Sequence, residues 1–444
     1  MDLHLRRGGG FLRWSVMMIV FMFILADNKP NKVVASSRRT SFTLLGSAPS
    51  PSPHSPSPSP SPSPSPSRPP PMGLCESAVI VHGYQCQEFY VKTGDGYVIN
   101  MQRISSSGCP RSSGGGGGKL INKQPVLLQH GVFVDGMTWL LLNTQQSLAF
   151  ILADSGFEVW IANTRGTKFS RQHATLNASQ PEYWNWSWDE LAEYELSSTF
   201  DFIYHQTGQK LHYVGHSLGT TYALASFSEG KLMDKLKSAA LLSPIAYLSH
   251  INNPIGLFGV ETFLYETAML VGVEVINPKP EEVANFFNSI CEDLGIDCYD
   301  LISQFSGTNC CLNASTLELF WKNEPQPTST KNMVHLSQTI RDGIFSKFDY
   351  GNQEMNIENY GQEKPPIYNL SNIPRNLPLF ISYGGKDSLS DVEDVEMLLE
   401  KLKFHEGDKL TTVFIKDYAH ADFIMGFNAK EKVYNPLVSF LRRH

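Results

Sequence analysis

The chain has 444 residues, of which 41% are hydrophobic, so it can bury a sizeable core and is long for a single domain. Its 36 basic and 43 acidic residues give a formal net charge of −7. A mildly acidic chain lacks the concentrated positive charge that nucleic-acid binding requires, so we exclude nucleic acid as a partner.

The N-terminus predicts a secretory signal peptide over residues 1–26. Three arginines flank an apolar run from Trp14 to Ala26, which is the layout of such signals. The run is shorter than the ~20 apolar residues that a membrane span needs, although an uncleaved anchor remains the alternative interpretation. Ala26 and Ala35 both offer cleavage sites, and the sequence does not choose between them.

Residues 27–74 predict a Ser/Pro-rich spacer. From Ser50 to Pro71 the chain reads SPSPHSPSPSPSPSPSPSRPPP. Proline at every second position blocks helix formation and removes backbone donors, so we expect an extended polyproline II segment that buries nothing. The repeat resembles the O-glycosylated Ser-Pro tracts of plant cell-wall proteins, and a plain spacer is the alternative.

Seven cysteines fit an oxidising compartment. The short loops Cys75–Cys86 and Cys291–Cys298 are plausible disulfides, and the odd number leaves at least one thiol over. The spacing does not predict a zinc site, so we expect no metal. Four sequons predict N-glycosylation, although burial between two tryptophans could block the second; they lie at Asn177, Asn185, Asn313 and Asn369.

Downstream of the spacer, strand patterns alternate with helical patterns, which predicts an α/β fold with a mostly parallel sheet covered on both faces. The active site of such a sheet lies at the carboxyl ends of its strands. Asp95–Gly96 predicts a hairpin turn, and Ser187 with Glu190 has the spacing of a capping box at a helix start. The predicted strands are QEFYVKTGDGYVINMQRI, PVLLQHG, FEVWIANTRG, LHYVGHS, AALLSPIAYL, LPLFISYGG and KLTTVFIKDY.

The core is predicted to be interrupted by an insertion. We assign residues 75–249 and 375–444 to the core, and residues 250–374, which have a helical bias and no clear strand, to a cap domain. The apolar stretch IGLFGVETFLYETAMLVGVEVI of the insertion carries three glutamates, which argue against a membrane span. We therefore expect an amphipathic, mainly helical cap.

The sequence Gly215-His216-Ser217-Leu218-Gly219 lies between a predicted strand and a predicted helix. This is the context of the nucleophile elbow of an α/β-hydrolase, in which a strained turn lifts the serine above the sheet. The two glycines remove side chains that would collide in the turn. Ser217 is therefore the candidate nucleophile, and a glycine-rich turn without chemistry is the alternative.

A serine hydroxyl needs an adjacent base, and hydrolases of this type place the acid and then the histidine downstream. Asp387 and His420 each follow a predicted strand, so we predict that Asp387 orients His420, which takes the proton of the serine. Asp391 and Asp394 are alternatives for the acid. Other histidines are less suited to the role. His405 lies in the exposed-looking stretch KFHEGDK and His444 is terminal, while His212 in a strand and His335 are better explained as structural.

The oxyanion of the reaction needs two backbone donors. One is predicted to be the amide of Leu218, next to the nucleophile. The loop His130-Gly131-Val132-Phe133 follows the strand PVLLQ, and we choose the amide of Val132 as the second donor. An ordinary glycine loop is the alternative.

The stretch from Tyr183 to Trp188 is rich in aromatic residues. Core packing beside a helix start is the favoured interpretation, and a wall for an acyl chain is the other.

Six blocks in this order resemble the acid lipases, which include the gastric and lysosomal enzymes and their plant relatives. The blocks are HGVFVDGMTWL, GFEVWIANTRGTKFSR, WSWDELAEYEL, VGHSLGT, YGGKDSLSD and DYAHADFIMG, and HGYQCQEFYVKTGDGYVI matches the opening segment of the family. The resemblance implies an α/β-hydrolase fold with a cap and lid, hydrolysis of triacylglycerol or sterol esters, and no cofactor. It supports Ser217, Asp387 and His420 as the triad, with Val132 and Leu218 at the oxyanion.

The Ser-Pro spacer departs from the animal members of that family and indicates a plant protein in the cell wall or extracellular space, with the vacuole as the alternative address. Our main hypothesis is a secreted lipase that contacts lipid surfaces transiently. The alternatives are an esterase for smaller esters and a non-catalytic lipid-binding protein with a hydrolase fold.

Overall fold

The computed structural model describes residues 73–106, 123–277 and 298–444. The predicted signal peptide, nearly all of the spacer, and the cysteines at 109 and 291 lie outside the described residues, as therefore does the Cys291–Cys298 pairing.

The fold is organised around a nine-stranded mixed sheet in the order β1-β2-β4-β3-β6-β7-β10-β11, with β5 paired to β2. β1 and β2 form an antiparallel hairpin, and β2 is antiparallel to β4. From β4 to β11 all neighbours are parallel. The strands are β1 Gln85–Lys92, β2 Tyr97–Ser105, β3 Pro125–Gln129, β4 Glu158–Ala162, β5 Gln172–His173, β6 Leu211–His216, β7 Leu236–Leu242, β10 Leu379–Gly384 and β11 Leu410–Ile415, while β8 Val275–Ile276 and β9 Thr328–Ser329 pair separately.

All seven predicted strand segments contain strands of this sheet, and the turn at Asp95–Gly96 joins β1 to β2. The predicted α/β class is therefore confirmed. Because β3, β6, β7, β10 and β11 run parallel, their carboxyl ends and the loops that follow them meet at one edge of the sheet.

Helices cover both faces of the sheet. Alternation of side chains along β3 sends Leu127 into one buried cluster and Val126 and Leu128 into the other, which explains why this strand is continuously apolar. The helices are α1 Leu148–Asp154, α2 Trp188–Glu190, α3 Leu196–Thr207, α4 Leu218–Ser228, α5 Pro254–Glu261, α6 Leu264–Leu270, α7 Cys298–Ser306, α8 Ala314–Asn323, α9 Thr330–Asp342, α10 Gln353–Tyr360, α11 Val392–Lys401, α12 Asp422–Met425 and α13 Asn435–Arg443. Short 3-10 or π-helical turns occupy Cys75–Val79, Ile80–His82, Gly136–Leu140, Pro181–Trp184, Leu191–Glu195, Leu370–Asn372 and Lys430–Tyr434.

The predicted capping box is present at α2, where the side chain of Ser187 accepts from the backbone and Glu190 accepts from the Ser187 amide. This contact fixes the start of the helical run that leads into α3, which packs against β6. A capping box needs only local sequence, which is why the pattern predicted it correctly.

Between β7 and β10 the described chain consists mainly of helices α5 to α10. The expectation that this region has no strand was wrong, because β8 and β9 pair there in an antiparallel ladder. Strands of two residues are too short to show the alternation that identifies a strand in a sequence. Among the described residues, no helix has the length and apolar character that crossing a membrane requires.

The predicted disulfide Cys75–Cys86 is present, with the two Cα atoms 5.4 Å apart. A second disulfide joins the adjacent residues Cys310 and Cys311, which spacing did not predict. Three of the four predicted glycosylation residues are exposed, including the one between the two buried tryptophans, so the suspicion that its burial blocks a glycan was wrong. The exposed residues are Asn177, Asn185 and Asn369, while Asn313 is half-buried and caps α8 through its side-chain oxygen.

Candidate active site

Ser217 lies at a strained turn between a strand and a helix. β6 ends at His216, α4 begins at Leu218, and the backbone of Ser217 has φ 54° and ψ −125°. A non-glycine residue adopts such angles only where the surrounding structure imposes them, and these positions concentrate at functional sites. The side chain of Ser217 is placed where the parallel strands end, as a nucleophile elbow requires.

Three glycines make room for this turn. A Cβ atom on Gly215 would lie 2.9 Å from the carbonyl oxygen of Gly219, and one on Gly219 would lie 2.7 Å from the carbonyl oxygen of Gln129. A Cβ atom on Gly131 would lie 2.9 Å from the Cβ of Ser217. The glycines of the motif are therefore required by close backbone approach, and the predicted oxyanion loop packs directly against the serine.

Asp387 and His420 lie in the loops that follow β10 and β11, and the structure brings them together. The Nδ1 atom of His420 lies 2.9 Å from Oδ2 and 3.1 Å from Oδ1 of Asp387. Oδ1 also accepts the backbone N–H groups of Leu389 and Ser390, at 2.9 and 2.8 Å. Both side chains are buried, so the carboxylate is held rigidly and can orient the imidazole.

The alternative acids have other partners. The Asp391 side chain accepts the N–H of Glu393 and so caps α11. Asp394 accepts the backbone N–H groups of Ser249 and His250, and therefore anchors the chain that leaves β7. Neither contact involves His420, so the geometry favours Asp387 as its partner.

The alternative histidines likewise serve packing. His212 contacts the hydroxyl of Ser238 inside the sheet, and burial lowers its pKa to about 3. The ring of His335 stacks on Trp188 at 3.9 Å, and burial lowers its pKa as well. His405 and the terminal His444 also have pKa values lowered by burial.

The edge of the His420 ring that faces away from Asp387 makes no hydrogen bond to Ser217. Its Nε2 atom is buried and has no hydrogen-bond partner within the part of the chain that the structure describes. Its ring lies 4.7 Å from that of His216, the neighbour of Ser217 in sequence, and His216 Nε2 lies 3.1 Å from the His420 carbonyl oxygen. Burial lowers the pKa of His216 well below its usual range, so this neutral ring donates its Nε2 proton to that carbonyl and joins the elbow to the histidine loop.

Sequence reasoning missed this role of His216, because it treated the residue only as the variable position of the motif. A histidine directly before the nucleophile, at the end of a buried strand, was the available signal.

The amides chosen for the oxyanion both lie near Ser217. Leu218 is the first residue of α4, so its N–H has no acceptor within the helix. The peptide between Gly131 and Val132 is oriented by His130, whose Nδ1 lies 2.8 Å from the Gly131 carbonyl oxygen. His130 Nε2 accepts the N–H of Thr164 at 3.0 Å, so the proton is on Nδ1 and the ring donates to that carbonyl. In a trans peptide, the Val132 N–H then points in the opposite direction.

Two buried acidic residues, Asp135 and Glu324, lie beside the chain that follows the loop His130–Phe133. Glu324, from the region between β7 and β10, accepts the N–H of Asp135 at 3.1 Å. Both side chains are fully buried, and Lys168 lies 3.2 Å from the Asp135 carboxylate. Burial, with Asp135 as a second cause, raises the pKa of Glu324 well above its usual range. The chain directly after the predicted oxyanion loop is therefore held by a contact with the predicted cap.

The aromatic stretch after Tyr183 packs in the core, as the favoured interpretation predicts. Trp184, Trp186 and Trp188 are buried in the cluster that contains β4 and β6 side chains, and Trp188 also stacks on Phe345 at 5.3 Å. These rings anchor the predicted cap to the core.

One cluster in the described ranges has the residue types of a metal site: Cys310, Cys311 and Asp422. The two sulfur atoms are bonded to each other, so they do not offer the thiolates that bind zinc. The arrangement gives no reason to assign a metal to the reaction, and the prediction that the site needs none stays a prediction.

The chain is similar to known lipases and to proteins of the alpha/beta hydrolase fold. Residues 75–143 match the family described as a partial alpha/beta-hydrolase lipase region, and residues 124–289 match the alpha/beta hydrolase fold. Triacylglycerol lipase 2 of Arabidopsis thaliana is 55% identical over 84% of this chain and 88% of its own. The human lysosomal acid lipase/cholesteryl ester hydrolase is 34% identical over 82% of this chain and 89% of its own.

The human gastric triacylglycerol lipase is 35% identical over 81% of this chain and 88% of its own. Among solved structures, a soluble variant of monoglyceride lipase from Saccharomyces cerevisiae has a TM-score of 0.50 at 14% identity, covering 85% of this chain and 99% of the other. That structural likeness concerns the fold alone.

Proposed function

The chain belongs to the family of gastric and lysosomal acid lipases and their plant relatives, and from this premise we propose that it is a secreted serine lipase acting on neutral lipid esters through Ser217, His420 and Asp387. Membership makes it a carboxylic ester hydrolase. The single observation that carries the triad is the hydrogen bond between His420 Nδ1 and Asp387, beside a serine in an elbow conformation.

In the proposed first half-reaction, the Oγ atom of Ser217 attacks the ester carbonyl carbon while Nε2 of His420 takes the hydroxyl proton. The carbonyl π electrons move to oxygen, giving a tetrahedral oxyanion. As this collapses, the bond to the alkoxy group breaks and His420 gives its proton to the leaving alcohol. General acid–base help of this kind contributes about 10²–10⁴ in rate.

In the second half-reaction, water attacks the acyl-serine. His420 takes a proton from the water, a second tetrahedral oxyanion forms, and its collapse releases the fatty acid while the proton returns to Ser217. Asp387 stays ionised throughout and stabilises the imidazolium that forms twice.

The proposed oxyanion donors are the amides of Leu218 and Val132. Loss of one such donor typically costs about 2.7–4 kcal/mol of transition-state stabilisation. The hydrogen bond from His130 to Gly131 supports the assignment of Val132, because it holds the peptide plane that carries the Val132 N–H.

A neutral-lipid substrate is supported by the relatives and by the surface of the predicted cap. Around α6, large apolar side chains are exposed to solvent: Phe263 is 51%, Leu270 85% and Val271 69% exposed. Exposed apolar side chains on the predicted cap suit transient contact with a lipid surface. The name of the lysosomal relative includes cholesteryl esters, which makes sterol esters the second candidate substrate class.

Secretion is part of the proposal and rests on three features. They are the basic and apolar N-terminal segment, the Ser-Pro tract after it, and the disulfide Cys75–Cys86, which suits an oxidising compartment. The cell wall or extracellular space is the proposed address, with the vacuole as the alternative.

The test compares wild type with Ser217→Ala and Ser228→Ala in fatty-acid release from emulsified triacylglycerol. Ser228 is the matched control, since its buried hydroxyl donates only to the Ala225 carbonyl of the same helix. We expect release by wild type and the control, and none above background by Ser217→Ala. A fluorophosphonate probe should label wild type and Ser228→Ala but not Ser217→Ala.

No release by wild type, or undiminished release by Ser217→Ala, would refute the proposal. Preference for cholesteryl oleate over trioleoylglycerol would move the substrate to the sterol esters, and cleavage of short-chain esters alone would make the protein an esterase. A wild type that the probe does not label would indicate the non-catalytic alternative.

A further inference from the structure

A short piece of the predicted cap lies between the two loops that carry the candidate acid and base. Residues 306–311, called the wedge segment below, begin at the last residue of α7. The carbonyl oxygen of Ser306 accepts the backbone N–H of His420 at 3.0 Å and that of Ser388 at 3.4 Å. One carbonyl group of the insertion therefore binds the backbone of both loops at once.

The second contact is made by Gly307, which pairs with Asp387 in an isolated antiparallel bridge. Gly307 has φ +91°, and a Cβ atom there would lie 2.0 Å from the carbonyl oxygen of Lys386. A backbone oxygen cannot yield as a flexible side chain does, so only glycine fits without moving the loop of Asp387.

The third contact is the carboxylate of Asp422, which is fully buried beside the histidine loop. Its Oδ2 accepts the N–H groups of Ala419 at 2.8 Å and Cys310 at 3.2 Å, and its Oδ1 accepts that of Cys311 at 3.1 Å. Asp422 thereby joins the residue before His420 to the far end of the wedge segment, where the disulfide holds Cys310 and Cys311 together.

The two loops also bind each other, through the N–H of Lys386 and the carbonyl of Tyr418 at 2.9 Å. The N–H of Gly385 also donates to the Ile415 carbonyl at 3.0 Å, and the contacts to the wedge segment hold both loops from a third part of the chain. We propose that the wedge segment and Asp422 are positioning elements that set His420 against Asp387. This rests on the proposed roles of those two residues, and it gives part of the predicted cap a catalytic purpose besides covering the site.

The test uses hydrolysis of soluble p-nitrophenyl butyrate, which needs the serine machinery but no lipid surface. Gly307→Ala should lower kcat about 10–100-fold, the effect of a displacement of about 1 Å in a catalytic group, with KM within about threefold of wild type. Gly361→Ala is the matched control, because Gly361 lies in the same insertion with φ +71° and a Cβ there would meet nothing within 4 Å. It should keep kcat.

Asp422→Asn is the second variant and decides the matter if Gly307→Ala does not fold. Asparagine has one accepting oxygen, so at least one of the three N–H groups loses its partner, and kcat should fall about tenfold or more at unchanged KM. Asp394→Asn is its control, since Asp394 is equally buried and accepts two backbone N–H groups away from the wedge segment. It should lower the unfolding temperature but not kcat.

Asp422→Asn with kcat no lower than Asp394→Asn, or with a loss that only follows the unfolded fraction in thermal denaturation, would overturn the wedge proposal. Ser217→Ala in the same assay tests the proposed function separately. An active Ser217→Ala refutes the triad, whereas an inactive Ser217→Ala beside a fully active Asp422→Asn refutes only the positioning role.

Discussion

Replacing Asp387 by asparagine should abolish most of the activity without removing any volume. The orientation of the new amide is dictated by the backbone, because Oδ1 of Asp387 accepts the N–H groups of Leu389 and Ser390 at 2.9 and 2.8 Å. The asparagine oxygen must take that position to keep both bonds. Its NH2 group then occupies the place of Oδ2, 2.9 Å from Nδ1 of His420.

Two N–H groups would face each other at that distance unless the imidazole changes tautomer. If Nδ1 becomes the acceptor, the proton moves to Nε2, which can then no longer take the proton of Ser217. The wrong tautomer in a serine triad costs about 10⁴ in kcat. At about 1.4 kcal/mol for each factor of ten, this is about 5.5 kcal/mol of transition-state stabilisation.

The assay is kcat on a soluble p-nitrophenyl ester, with thermal unfolding as the measure of folding. Asp391→Asn is the control: Asp391 caps α11 by accepting the N–H of Glu393 at 2.9 Å, and asparagine is an equally good cap, so its activity should match wild type. A folded Asp387→Asn that keeps more than about a tenth of the activity would refute the reasoning about the tautomer.

Three further variants test other parts of the structure. Burial raises the pKa of Glu324 well above its usual 4.5, so the wild type loses stability as the pH rises from 4.5 towards that pKa, whereas a glutamine variant does not. The free energy of unfolding of Glu324→Gln, measured by urea denaturation, should therefore rise relative to that of wild type between about pH 4.5 and pH 8. A difference in free energy of unfolding that does not change with pH would contradict this. Gly131→Ala would place a methyl group 2.9 Å from Cβ and 3.3 Å from Oγ of Ser217, so ester hydrolysis should fall at least about 100-fold in folded protein, and full activity would mean that the loop yields. Serines at both Cys75 and Cys86 should lower the free energy of unfolding by about 3 kcal/mol, since the bridge spans a sequence separation of 11, and an unchanged urea midpoint would refute this.

Several elements could be predicted because their causes are local. The strands β3 and β7 contain the short apolar runs PVLL and AALL, and such runs indicate strands that are buried on both faces. The hairpin at Asp95–Gly96 and the capping box at Ser187 depend on residues only a few positions apart. All residues that form a local pattern are neighbours in the sequence, so the pattern can be predicted without knowing which distant residues it contacts.

Other features depend on residues that are far apart in the chain. No periodicity in the sequence indicates that the Ser306 carbonyl accepts the N–H of His420, or that the Glu324 carboxylate accepts the N–H of Asp135. The disulfide between Cys310 and Cys311 was likewise not expected, since pairing depends on which side chains folding brings within reach.

By itself, the sequence determined the class of fold, the elbow at Ser217 and the order in which an acid and a histidine follow it, because strand periodicity and glycine sterics act over a few residues. Only the tertiary structure decided that Asp387 rather than Asp391 or Asp394 contacts His420. Three aspartates close in sequence have the same chemistry, and they differ only in which backbone N–H groups and which imidazole the folded chain places beside them.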